Sequence, residues 1–165
     1  MKALLKENTT GKEACYKTIF KFKKGLKYLR FSFKAFNSTF NSYSNKYNDP
    51  IFNGDVCEIF IRYGKENHHY EIEVAPNNTI FLADITNIND KFSRQLIEKC
   101  FLKTSTKILK NKYFVKIKIP KSKIKTSKIQ FNACRIETDG EKPEKHLFAL
   151  HPTMCDSFHI NKSIY

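Results

Sequence analysis

Residues 55–84 read DVCEIFIRY (55–63), GKEN (64–67), His68, HYEIEVAP (69–76), NN (77–78) and TIFLAD (79–84), and this stretch decides the fold. Three runs of strand length, rich in β-branched and aromatic residues, are separated by two short turns. Asn77-Asn78 supplies the positive φ that a tight hairpin needs. The pattern predicts a three-strand antiparallel meander. Its one anomaly is Glu58, an acid set among Val56, Cys57, Ile59, Phe60 and Ile61. Alternation puts Glu58 on the face of Val56 and Phe60. Glu71 and Glu73 lie opposite Tyr70, Ile72 and Val74, and read as the solvated side of an outer sheet.

Outward from the meander the same period of two recurs. ACYKTIFKFK (14–23) and LKYLRFSFKAF (26–36), joined at Gly25, read as a hairpin in which Leu29, Phe31, Phe33 and Ala35 face inward. NKYFVKIKIP (111–120) buries Tyr113, Val115, Ile117 and Ile119 and turns Lys116 and Lys118 to water. KIQFNACRIET (128–138) is a further strand. The polar stretch 37–50 reads as a long functional loop. NDKFSRQLIEKC (89–100) is where one short helix is expected, capped by Asn89 or Asp90. Some eight short strands with almost no helix predict an antiparallel β-sandwich. All 165 residues form one domain, with residues 1–12 a flexible lead-in.

Composition narrows function by exclusion. The net charge of +14 invites a polyanion partner, yet the cations are Lys except at Arg30, Arg62, Arg94 and Arg135. Forked recognition of phosphates and bases uses arginine, so nucleic acid ranks behind other ligands. There is no signal-peptide core and no run of about 18 apolar residues, so no membrane partner is expected. Five cysteines with no C-x-x-C pair fit a reduced, cytoplasmic setting. Metal-binding, nucleophile and phosphate-loop motifs are missing, and no acid at an equally apolar position pairs with Glu58. No enzyme is expected. No cofactor is expected either; calcium stays open without any residue pattern to indicate it.

In QFNACRIE, Asn132 shares a face with Gln130 and Cys134, while Arg135 lies with Phe131 and Ala133. A buried Arg requires an acid partner, and Glu58 is the obvious candidate. The same groups could instead hydrogen-bond a polar ligand, and both readings stand.

Four segments in order, DVCEIFI, YEIEVAPNNTIF, FNACRIE and HLFALHPTMCDSFHI, resemble the family 9-like carbohydrate-binding modules, a β-sandwich group related to DOMON-type domains. The resemblance spans residues 14–162. It implies non-catalytic binding of a sugar or short glycan, clamped between two aromatics and hydrogen-bonded by acid, amide and Arg side chains. Carried onto matching positions, it makes Glu58 the hydroxyl-binding acid, Asn132 and Arg135 its partners, and Phe52 one side of the clamp. The family's clamp is typically Trp, which this chain lacks, so Tyr47 and Phe148 are the other aromatic candidates. His151 replaces the Ser expected before Pro152. The alternative is a basic interaction domain for nucleic acid or a protein partner, with the sugar site degenerate. The oligomeric state is left open.

Overall fold

The computed structural model describes residues 1–36, 40–64, 67–88, 91–138 and 144–159. In chain order the strands among them are β1 (Lys2–Leu4), β2 (Lys6–Glu7), β3 (Thr18–Lys24), β4 (Tyr28–Phe36), β5 (Val56–Arg62), β6 (His68–Val74), β7 (Ile80–Ile88), β8 (Lys91–Leu96), β9 (Lys103–Leu109), β10 (Lys112–Pro120), β11 (Phe131–Thr138) and β12 (Lys145–Ala149). They build two antiparallel sheets, one of five strands in the order β1-β3-β4-β10-β9 and one of seven in the order β2-β12-β11-β5-β6-β7-β8. The meander 55–84 is the contiguous β5-β6-β7 unit, and Asn78 takes the positive φ (70°) that its turn requires.

The inward faces pack as expected of a sandwich, apolar side chains from both sheets interdigitating between them. Phe20, Phe31 and Phe33 of the smaller sheet meet Ile59, Ile72, Leu82 and Phe131 of the larger, all buried. Phe131 is wedged among Phe20, Phe22 and Phe31 with ring centroids 4.9–5.9 Å apart. The larger sheet also carries apolar residues on its other side, where Ile51, Val56, Phe60, Phe81, Ile85 and Phe158 form a second buried cluster. Both of its faces are therefore covered. This explains why all eight residues of β11 are buried.

Two expectations are corrected. Residues 91–96 form strand β8, laddered to β7, in place of the short helix expected over 90–99. Phe92, Arg94 and Leu96 share one side of that strand, a period of two that the helical reading overlooked. Asn89 and Asp90, the expected caps, lie outside the described residues. The lead-in 1–12 is also structured. Strand β1 pairs with β3 in one sheet and β2 with β12 in the other, and the chain crosses between the sheets at Leu5, which is buried in the core.

Candidate functional site

The outer face of β5, β6 and β7 carries the chemistry. Glu58 and Glu73 are direct cross-strand partners, and Glu71 stands opposite Phe60 in the adjoining register pair. Each of the three carboxylate residues is only 1–2% exposed. The solvated reading of Glu71 and Glu73 is thus overturned. Alternation gives the side on which a residue lies, not whether that side is covered. Here the cover comes from the Ile51–Asn53 turn, from Arg94 on β8, and from the tail after β12, whose Phe158 and His159 pack on Phe60 with centroids 6.1 and 5.3 Å away.

Arg94 is the hub. Its Nη2 donates to Glu71 Oε1 at 3.0 Å, and its Nε lies 2.9 Å from Oε2 as an ion-pair contact. His159 Nε2 approaches the same Oε1 at 3.2 Å. The guanidinium lies 5.4 Å from the Phe52 ring, 5.2 Å from Phe81 and 6.0 Å from Phe92. Phe92 stacks on His159 at 4.7 Å and remains half exposed. Phe52 is half-buried, edge-on to Phe81 at 6.0 Å, with the Lys145 ammonium 5.6 Å from its ring. Gly54 makes this turn possible, because a Cβ there would stand 2.6 Å from the Asn41 carbonyl oxygen.

Glu58 Oε1 and Glu73 Oε2 have no hydrogen-bond partner among the described residues. Burial, and then Glu71, pushes the Glu58 carboxyl well above its ordinary range, against the pull of Arg94 and Lys145. Burial and the charges of Glu58 and Glu71 do the same to Glu73. Nearby His69 is driven down to about 4 by burial and by His159, so it is neutral at pH 7. Among the described residues no group of His, Cys, Asp and Glu is arranged to hold a metal ion.

Of the six residues expected to bind ligand, Phe52, Glu58 and Asn132 share this side of the sheet. Asn132 is committed to the tail. Its Nδ2 donates to the His151 carbonyl (2.8 Å), and its Oδ1 accepts from the backbone N–H of His151 (3.0 Å) and Ala133 (2.9 Å). Arg135 and Phe148 lie on the opposite side, between the sheets, and both are fully buried. Register decides this, since Glu58 pairs with Cys134 while Arg135 pairs with Cys57. The expected Glu58–Arg135 ion pair is therefore corrected. Arg135 pairs instead with Glu137, donates to Thr18 Oγ1 (2.9 Å) and the Phe36 carbonyl (3.2 Å), and lies 5.8 Å from the Phe148 ring. Tyr47 belongs to the loop before β5, where its hydroxyl donates to the Ile97 carbonyl at 2.6 Å.

Sequence reasoning missed Glu71, Glu73, Phe92, Arg94 and His159. The Phe92-x-Arg94 alternation would have placed two of them, had the segment been read as a strand. Asp55, which opens the D-x-x-E pattern, is structural. Its carboxylate accepts from the Thr138 N–H (2.8 Å), the Thr138 hydroxyl (2.7 Å) and the Asn41 N–H (2.9 Å), pinning the loop to β11.

No family model and no curated protein matches the sequence, but solved structures do match the fold. A Bacteroides uniformis protein, named as a candidate carbohydrate-binding protein, superposes with a TM-score of 0.78 at 11% identity, over 99% of this chain and 84% of its own. A family 9 carbohydrate-binding module from Caldicellulosiruptor kristjanssonii, solved with glucose and with cellotriose, gives TM-scores of 0.61 and 0.59. Identity is 15% in both cases, over 89% of this chain and 73% of the module. The chain has the β-sandwich fold of the family 9 carbohydrate-binding modules.

Proposed function

We propose that the outer face of the seven-stranded sheet binds a carbohydrate without transforming it. The observation that carries this reading is Arg94, ion-paired with buried Glu71 and set between Phe52 and Phe92, beside two buried carboxylates that each keep one oxygen without a hydrogen-bond partner among the described residues. A pyranose offers an apolar C–H face to an aromatic ring and vicinal hydroxyls to carboxylate and guanidinium groups. Phe92, half exposed, and Phe52 are the stacking surfaces; Arg94 and Glu73 are the hydroxyl partners. The sugar-bound modules of the same fold make this class of ligand the natural one. A glycosidase needs one carboxyl held as acid and a second as base or nucleophile, in contrasting environments. Glu58 and Glu73 are neighbours pushed in the same direction by the same burial, which suits hydrogen bonding rather than hydrolysis.

Calorimetric titration with glucose and cellotriose tests the proposal. Saturable binding is expected, with affinity falling about tenfold in Phe52→Ala and in Glu73→Gln, since each loses one stacking or charge-assisted contact. Flat titrations against these sugars and a glycan array, or affinities unmoved by both substitutions, would overturn it.

A further inference from the structure

The opposite side of the molecule has a different chemistry. No Asp or Glu occurs anywhere in β1, β3, β4, β9 or β10, the five strands of the smaller sheet. On its outer face Lys103, Lys118, Arg30 and Lys23 stand in one cross-strand row, all exposed. In the next row Lys116 and Lys21 flank Ser32. Like charges directly opposite one another destabilise a sheet, so this array costs stability unless anions from outside neutralise it. Two shallow depressions of about 470 and 380 Å³ share Lys21, Ser32 and Lys116 as walls and floor.

We propose that this face docks on an anionic lipid bilayer. Three features favour a bilayer over a polynucleotide. The cations are Lys with the single exception of Arg30, and point charges suit a diffuse anionic surface more than a defined phosphate geometry. The aromatics on this face are capped rather than open to bases: Lys34 Nζ lies 4.9 Å from the Phe36 ring and 5.8 Å from Phe114. Apolar side chains stand exposed around the margin. Leu4 (50%) and Leu109 (39%) face outward on strands at the two edges, and Leu26 (96%) caps the β3–β4 turn. Basic centres with apolar margins are the signature of a peripheral contact, lysines at the headgroups and leucines at the acyl boundary. Such a contact needs no spanning segment, and no described helix is long and apolar enough to cross a membrane. The absence of a spanning run, from which no membrane partner was expected, therefore does not bear on it.

Co-sedimentation of the full chain with vesicles tests this, using phosphatidylcholine alone and phosphatidylcholine with about 30% phosphatidylserine. Binding is expected only to the second kind and should weaken as salt shortens the Debye length. The triple variant Lys21→Gln, Lys116→Gln, Lys118→Gln should lose on the order of a hundredfold in partitioning. Lys46→Gln, Lys91→Gln, Lys99→Gln, an equal charge change elsewhere, should leave it nearly unchanged. Leu26→Ser should weaken vesicle binding and leave any capture of oligo(dT) untouched. Equal binding to neutral vesicles overturns the proposal, as do equal losses in the two triple variants. Oligo(dT) or heparin that binds through the same lysines while anionic vesicles do not would assign the face to another polyanion.

Discussion

Glu58 and Glu73 face each other across β5 and β6, and among the described residues no donor reaches Glu58 Oε1 or Glu73 Oε2. Two adjacent carboxylates in a buried site resist holding two negative charges, so the folded state keeps a proton that the unfolded chain gives up. The carboxyls are raised in the fold above an ordinary value of 4.5. Between that value and the raised one the native state binds more protons than the unfolded state, and stability falls as pH rises. Glu58→Gln removes one charge and gives Glu73 an amide donor. Thermal melts should therefore show Glu58→Gln more stable than the parent by several degrees at pH 8 and little changed at pH 5. An identical melting shift at both pH values would show that the two carboxyls do not share a proton. The site's chemistry was only partly legible at this scale. Glu58 stood out because its neighbours are apolar on both sides. Glu71 and Glu73 did not, because alternation with Ile72 and Val74 is also what a solvated edge produces.

Strands β1 and β2 show how a short element gains its structure from its neighbours. Neither three nor two residues would hold a strand alone, and their sequence, KALLKE, shows no strong period. Each is fixed by a ladder to an edge already present, and Leu5, 3% exposed, is driven into the core between them. Asn8 then ties this segment to the tail, its Nδ2 donating to Thr153 Oγ1 and to the Cys155 carbonyl, each at 2.7 Å. Leu5→Ala should cost about 2–4 kcal/mol in urea denaturation, the range for a truncated core leucine. A cost below about 0.5 kcal/mol would mean that the crossing is not part of the cooperative core. Strand β8 teaches a related lesson, since every residue of Lys91–Leu96 is exposed and only the β7 ladder makes it a strand. Its composition permits a helix equally well, and the tertiary partner decided between them.

At the scale of the whole molecule, Arg135 joins the two sheets. It rises from β11 in the larger sheet and bonds Thr18 of β3 and the Phe36 carbonyl of β4 in the smaller, with Glu137 as its ion-pair partner. A guanidinium fully buried between apolar layers persists only while its charge and donors are matched. Arg135→Ala should lower stability by about 3–5 kcal/mol in denaturant melts, because it removes the cation paired with the buried Glu137 carboxylate as well as emptying volume. The double replacement Arg135→Met with Glu137→Leu should recover much of that loss. If the double variant is no better than the single one, packing rather than uncompensated charge sets the cost.

What the sequence determined by itself was the layer architecture. Period-two burial in 26–36, 55–84 and 111–120 and the turn chemistry at Gly25 and Asn77-Asn78 name strands and hairpins from local sterics and hydrophobicity, and these point to an antiparallel sandwich. The order of four motifs extended that to the fold shared with the family 9 modules. Tertiary structure alone decided which outward faces are covered, which acid Arg135 meets, and which aromatics flank the site. Those outcomes depend on register across β5 and β11 and on where the tail returns over the sheet. A one-residue offset in pairing moves a side chain to the opposite face, and no local pattern in Glu58 or Arg135 encodes that offset.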